Sequence, residues 1–489
     1  VPRALPEYGP ERVVVVGAGS AGCVVAARLA ESGAPTVLIE AGPAGAGPRT
    51  SGAAGLVDPD GDPARYWSPL PVLRDSADSG ISAGNGYWMG RGLGGGSAVN
   101  GMLVMPGDRA DYDRWAGIDG CADWSAETMA PWLTKAAAVL DPEERPVDPE
   151  TVDLVATFDA AFAELGLDHV GTTLDQDRCG VFTPMLATRG GVRRSVADAY
   201  LRTADPNLRI ETDQMVGGLV VEGGSVSGVV LADGETVTAS TVVLAAGTVG
   251  TARLLGETGA VRGVGDWIKN HAAASIPFPW PVDNSSSRPP QVHRVARWRS
   301  AISGTGLAPE AVPDLTAILM GPFPTPAGAT GLVIVMASTV RSLGRLDFGR
   351  QRLGLISSHL AEPDDVARLR SGTRPVLAVC RRLADLAAAD RADAARRELD
   401  ELDHFTDPEL DDWLVGHPGP VHHAVGSCRM GTASDGAVTV AKPGRAGTIP
   451  GLDGVVVADA SLFPDLVAGG LQLPVMAVAE RIAAETLLR

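Results

Sequence analysis

Eight histidines occur in the chain, and two stand side by side in VHHAVGSCRMG, residues 421–431. A neutral imidazole within hydrogen-bond reach of a hydroxyl can take its proton near neutral pH, so this pair is a candidate general base. If the segment is a strand, adjacent side chains point to opposite faces, and at most one ring faces a given pocket. A histidine is also often a hydrogen-bonded structural residue. The pair acquires a meaning only from what the rest of the chain places beside it.

Positioning begins with RVVVVGAGSAGCVVAARLAESGAPTVLIEAG, residues 12–42. Val13–Val16 is a continuous apolar run, the pattern of a strand buried on both faces of a parallel sheet. Gly17, Gly19 and Gly22 then fit G-x-G-x-x-G at a strand-to-helix turn. In such a turn the first Gly permits the tight bend, the second admits a pyrophosphate, and the third lets helix and strand pack closely. A helix with Val24, Val25 and Leu29 inward should follow, and PTVLIE reads as a second strand ending at Glu40. A carboxylate there can accept from an adenosine ribose while the pyrophosphate rests on the helix N-terminus. The unit predicts dinucleotide binding and leaves FAD and NAD both open.

Residues 86–116, GYWMGRGLGGGSAVNGMLVMPGDRADYDRWA, crowd Gly90, Gly92, Gly94, Gly95 and Gly96 ahead of Ser97 and Asn100. Such a backbone can wrap a flat ligand and offer its N–H groups as a nest. A flexible linker fits poorly, because apolar Val99, Met102, Leu103 and Val104 continue directly from it.

With these motifs on the page the chain resembles the glucose–methanol–choline (GMC) family of flavin-dependent alcohol oxidoreductases. GRGLGGGSAVNG matches the family's first signature. GVRRSVADAYL (191–201), NLRIETDQMVGGLVVEGGSVSGVVL (207–231) and STVVLAAGTVGTARLL (240–255) follow in the family's order. HHAVGSCRMG and VVVADASLFPDLVAGGLQLPVMAVAERIAAETL complete it, so the resemblance spans the chain from about residue 12 to its end and is weakest between 276 and 410. It implies FAD as cofactor and an α/β fold: a doubly wound, Rossmann-like FAD-binding domain plus an antiparallel-sheet α+β substrate domain. The expected segments are 1–110, 190–275 and 415–489 for the discontinuous FAD-binding domain, with 111–189 and 276–414 forming the substrate-binding domain and cap.

Residue by residue, the resemblance implies cofactor contacts at Gly17, Gly19, Ser20, Gly22, Glu40 and Ala41 in the first motif. The glycine-rich segment would add Arg91, Gly95, Asn100, Gly101 and Met102. Val216 would lie on the adenine side, Ala246 and Gly247 at a turn, and Asp459 with Ala460 on a C-terminal return to the flavin. Some members link FAD covalently through a histidine just before the residue matching Asn100; Val99 stands there, so dissociable, non-covalent FAD is expected. His423 falls on the family's catalytic histidine, which would act as base while hydride passes to flavin N5; His422 is read as structural. The chain departs from the family at Gly470, where a second His or Asn is usual, and at Gln472, where an Asn is often found. Gln472 reaching the site, or His422 turning inward, would replace the missing partner. Asn270 stands where an Asp commonly precedes the family's histidine, and His271 is read as structural.

The elements expected to shape the substrate side are the strands LTAILMGPF, TGLVIVMAST and GRLDFGRQRLGLISS, bounded by Gly and Pro turns. PDDVARLRSGTRPVLAVCRRLADLAAA reads as a helix from its three-to-four-residue apolar period. RADAARRELDELDHF reads as an exposed helix laced with i, i+4 charge pairs. VDNSSSRPPQ, residues 282–291, is a polar loop and a candidate lid.

Bulk properties narrow the partners. A formal charge of −18 argues against nucleic acid or an anionic membrane surface. No apolar run is long enough for a membrane span, and VPRALPEYGPER lacks a secretory pattern, so a cytoplasmic protein is expected. Five scattered cysteines, without a CxxC pair, suggest neither zinc nor a disulfide framework, and no metal site is expected. The expected partners are a small-molecule alcohol and oxygen or another electron acceptor. Two rivals remain open: a lyase of the same fold that keeps FAD without redox chemistry, and a flavin-binding electron-transfer partner that oxidises no alcohol.

Overall fold

A computed structural model describes residues 11–44, 63–73, 86–201, 205–281, 291–300, 302, 312–326, 328–349, 353–356, 360–419, 421–432, 434 and 436–488. The candidate lid, apart from Gln291, lies outside the described residues.

The run Val13–Val16 becomes the centre of a nine-stranded sheet. Thr36–Ile39 and Thr241–Leu244 flank it in parallel register, Val13 opposite both Thr36 and Thr241. Leu208–Glu211 extends one edge and Leu452–Val457 continues the other, so distant segments share one sheet. Val14, Val15 and Val16 are buried, as a strand covered on both faces requires. The helix Ser20–Glu31 covers one face, with Val24, Val25 and Leu29 inward. Its approach depends on Gly22: a Cβ there would sit 1.8 Å from the Gly17 carbonyl oxygen.

A second, six-stranded sheet runs in the order Ala272–Pro279, Thr330–Ala337, Leu315–Phe323, Gln291–Trp298, Gly180–Thr183 and His169–Thr172. All its pairings are antiparallel except the last, which is parallel. Period-two alternation divides the central strands. Leu315 and Val335 meet the helix Pro363–Ala384, where a Cβ on Gly372 would lie 2.9 Å from Leu315 and 3.1 Å from Val335. The opposite face, bearing Ile318, Met320, Ile334 and Met336, lines a cavity. Both faces are covered, which explains the nearly unbroken apolar runs. The architecture is mixed α/β, with a parallel dinucleotide-type sheet and an antiparallel sheet beside it.

A small four-stranded sheet joins Leu70–Leu73 and Gly86–Tyr87 to Arg345–Asp347 and Gly354–Ile356. The helix Ala389–His404 forms as expected, but its charges pair differently. Arg396 meets Asp393 at i, i+3, and Arg381 of the preceding helix takes Asp400 and Asp403 at 2.7 and 2.9 Å. Packing two helices together offers these carboxylates closer partners than their own helix does. Among the described residues, no helix is long and apolar enough to cross a membrane.

Candidate active site

One cavity of about 640 Å³ runs between the two sheets, within the range of cofactor and substrate sites. Its dinucleotide end is built from glycine loops. Gly95, at φ +49°, approaches the first loop so closely that a Cβ would lie 2.8 Å from Gly19 Cα. Gly19, which has only open space beside it, begins a helix with no side-chain cap and no acid in its first turn. Its free N–H groups therefore suit a pyrophosphate.

Two carboxylates tie this end together. Glu40 accepts from the backbone N–H groups of Ala18 (2.7 Å), Gly42 (2.8 Å) and Gly92 (2.9 Å), joining three loops. Asp459 accepts from Gly247 N–H, the Thr251 hydroxyl, and both Ser461 N–H and hydroxyl. Burial nonetheless pushes its pKa up. Arg253, which sequence reasoning missed, donates to the Val216 and Gly217 carbonyls and to Glu257. The walls and the bare helix N-terminus fit a flavin dinucleotide.

Most of the expected cofactor residues line this cavity: Gly17, Gly19, Ser20, Glu40 and Ala41, then Gly95, Asn100, Gly101 and Met102, then Val216, Ala246, Gly247, Asp459 and Ala460. Gly22 and Arg91 do not. Gly22 is a packing residue, as its clash with Gly17 shows. Arg91 is a brace: it donates to the Ala41 carbonyl (2.8 Å) and lies over the Trp67 ring.

At the other end His423 is held by its neighbours. Its backbone N–H donates to Asn270 Oδ1 (2.8 Å), whose Nδ2 donates to the Val421 carbonyl (2.8 Å). An amide can clamp both groups, because it carries a donor and an acceptor. The Ala424 N–H donates to Tyr87 Oη at 3.0 Å, and the Thr248 hydroxyl to the Ala424 carbonyl. The His423 ring meets His271, Nδ1 to Nδ1, at 2.9 Å, and His271 Nε2 lies 3.0 Å from the Val467 carbonyl.

These contacts assign the protons. A carbonyl only accepts, so His271 Nε2 carries the hydrogen. Burial lowers the His271 pKa to about 4, so the ring is neutral; the Ser338 carbonyl also faces it, and with its one hydrogen on Nε2 the ring accepts at Nδ1. His423 Nδ1 must therefore donate, which leaves a lone pair on His423 Nε2. Burial, helped by His271 and His422, holds the His423 pKa well below the usual imidazole range.

His422 shares the cavity wall with His423. Residues 421–424 form no strand, so strand alternation does not apply, and both histidines line the cavity. Neither His422 ring nitrogen has a hydrogen-bond partner, and burial lowers its pKa to about 4. Gln472 lines the cavity too: its Oε1 accepts from Asn100 Nδ2 (2.6 Å), while its Nε2 has no partner. Asn100 in turn accepts from Arg193 (3.0 Å) and from Met102 N–H (3.0 Å). Gly470 lines the same wall without a side chain.

Sequence reasoning also missed Tyr66, Trp67, Tyr87 and Trp88, which line the cavity. Of these, Tyr87 lies against His422, a contact that depends on pairing between Leu70–Leu73 and Gly86–Tyr87 that no local pattern announces.

A parallel-sheet glycine cradle joined to an imidazole chamber defines a dinucleotide-dependent oxidoreductase. The chain belongs to the GMC oxidoreductase family, matching its N-terminal part over residues 12–273 and its C-terminal part over residues 350–479. It is accordingly FAD-dependent and of the class acting on CH–OH donors. Oxygen-dependent choline dehydrogenase 1 of Chromohalobacter salexigens is 26% identical, covering 96% of this chain and 93% of that one. Oxygen-dependent choline dehydrogenase of Paraburkholderia xenovorans is 27% identical at the same coverage. Among solved structures, pyridoxine 4-oxidase from Mesorbium loti superposes with a TM-score of 0.76 at 25% identity, covering 97% of this chain and 98% of that one. Aspergillus oryzae formate oxidase reaches 0.81 at 18% identity, covering 97% of each chain, a likeness of fold alone.

Proposed function

We propose that the protein oxidises a primary or secondary alcohol to the carbonyl, with His423 as general base and Gln472 orienting the substrate oxygen. The relatives named for choline and pyridoxine support an alcohol as substrate. The observation that carries the mechanism is the His271–His423 contact, which leaves a lone pair on His423 Nε2 at the cavity wall. Bound FAD supplies the acceptor for the hydride that leaves the alcohol carbon. His423 Nε2 takes the hydroxyl proton, so no alkoxide is left in a dry chamber. Gln472 Nε2, buried and without a partner, would donate to the same oxygen once the amide turns toward the cavity, with Asn100 holding its other end. Gly17, Ser20, Gly95 and Gly247 would hold the dinucleotide from the glycine cradle, without a covalent link at Val99. In this reading segments 1–110, 190–275 and 415–489 carry the cofactor, and 111–189 with 276–414 shape the substrate side.

The test is anaerobic flavin reduction by a panel of alcohols. His423→Ala should retain FAD and lose about 10² to 10⁴ in the rate of reduction, the usual worth of a general base. A variant that reduces at the wild-type rate overturns the role of His423. Admitting air after reduction then tells whether oxygen or another acceptor takes the electrons.

A further inference from the structure

We infer that the substrate is an uncharged alcohol with a hydrophobic body, taken into the part of the cavity walled by the antiparallel sheet. The inference rests on the reading of this cavity as the site of alcohol oxidation. Val292, Ile318, Met320, Ile334 and Met336 present only methyl and thioether groups there, and Leu353 adds another. Their direction is fixed by strand alternation, because the opposite face of the sheet is committed to the helix Pro363–Ala384.

Among the described residues this chamber carries no charge of either sign. Among the described residues, the carboxylates and guanidinium on the cavity wall are Glu40, Asp459 and Arg253. All three are already engaged at the dinucleotide end: Glu40 by three backbone N–H groups, Asp459 by Gly247, Thr251 and Ser461, and Arg253 by two carbonyls and Glu257. A substrate carrying an ammonium, carboxylate or phosphate would bury an ion without a partner, which is costly. The histidines add no charge, since burial keeps them neutral.

The aromatic residues at the wall do not form a cation cage. Trp67 already faces the Arg91 guanidinium at 5.4 Å, and a second cation there would meet repulsion. Tyr66 and Trp88 pack edge to face on one another, and Tyr87 sits edge-on to His422. A sugar fares no better, because many hydroxyls would face hydrocarbon. His422, His423 and Gln472 Nε2 suffice for a single hydroxyl.

The experiment compares 3,3-dimethylbutan-1-ol with choline on the FAD-loaded protein under anaerobic conditions. The two share a shape and differ in one positive charge. The neutral alcohol should reduce the flavin with a second-order rate constant at least ~100-fold larger, about 2.8 kcal/mol. Equal rates, or faster reduction by choline, overturn the inference. Dissociation constants read from perturbation of the flavin spectrum in His423→Ala separate the two claims. If neither alcohol reduces wild-type flavin, catalysis as proposed fails, while tighter binding of the neutral alcohol still upholds the chamber's selectivity and tighter choline binding overturns it. Met336→Glu, nearly isosteric, should move the binding ratio toward choline by tenfold or more; Ile318→Glu serves if that variant fails to fold. An unchanged ratio in a folded, FAD-loaded variant counts against the inference.

Discussion

At the dinucleotide end of the cavity every carboxylate oxygen of Glu40 and Asp459 accepts a hydrogen bond from the protein. At the histidine end both nitrogens of His422 and Nε2 of Gln472 accept or donate none. One end uses its polar atoms to hold loops together, and the other leaves them to something outside the chain. Buried polar groups normally find partners, so three unpaired ones in residues that line a cavity are candidates for a bond to a ligand once their side chains turn toward it. The contrast separates residues that build the site from residues that act in it, although both kinds line one wall.

The sharpest way to break this comparison is to delete one side chain at each end. Glu40→Ala strips the acceptor from three backbone N–H groups, at roughly 1–3 kcal/mol for each donor left bare. It should lower the thermal midpoint by many degrees and empty the protein of flavin, read as the ratio of flavin to protein absorbance. His422→Ala removes a ring with no hydrogen bonds and should leave flavin content and midpoint nearly unchanged while slowing reduction. Equal destabilisation by the two substitutions would show that the ends do not differ as described.

Acid offers an intermediate test. Burial lowers His271, His422 and His293 to about 4 and holds His423 well below the ordinary 6.5 as well. Between those values the unfolded chain binds protons that the folded one refuses, so the stability these histidines contribute is complete above 6.5 and declines as pH falls toward 4. Each adds a slope of roughly 1.4 kcal/mol per pH unit in that window. Burial raises the Asp111 pKa to about 6, which acts in the opposite direction, so the informative quantity is the slope lost in His422→Ala. Denaturant unfolding from pH 7 to 4.5 measures it; identical slopes would mean that His422 is not held neutral. The smallest effect is expected at Gly470, where an added Cβ would meet only the Leu103 carbonyl at 3.4 Å. Gly470→Asn adds one donor to the alcohol end and should speed reduction by no more than about tenfold, the worth of a single neutral hydrogen bond. A large loss in rapid-mixing kinetics would show that this wall has no room for a second amide.

The cradle was legible because its signals are local. Val13–Val16, the spacing of Gly17, Gly19 and Gly22, and Glu40 at the end of the next strand lie in one βαβ unit, where strand period and turn sterics leave few alternatives. The pairing of strands into two sheets was legible in outline, since doubly buried strands announce themselves as unbroken apolar runs. Arg91 was expected at the cofactor and instead braces Ala41 and Trp67 off the cavity wall, because a motif position says nothing about which way a long side chain turns. His271 and His422 were read as structural for a related reason: no sequence pattern tells a ring that packs from a ring that waits for a partner.

By itself, then, the sequence determined a dinucleotide cradle, its flavin-type segments in order, and a histidine at the position the resemblance assigns to catalysis. Only the tertiary structure decided that His271 lies against His423, that His422 shares the chamber, and that the chamber carries no free charge among the described residues. The first set depends on neighbours along the chain, whose geometry the backbone fixes. The second depends on contacts between residues far apart in sequence, such as the 2.9 Å approach of His271 to His423, which exist only once separate strands and loops have packed.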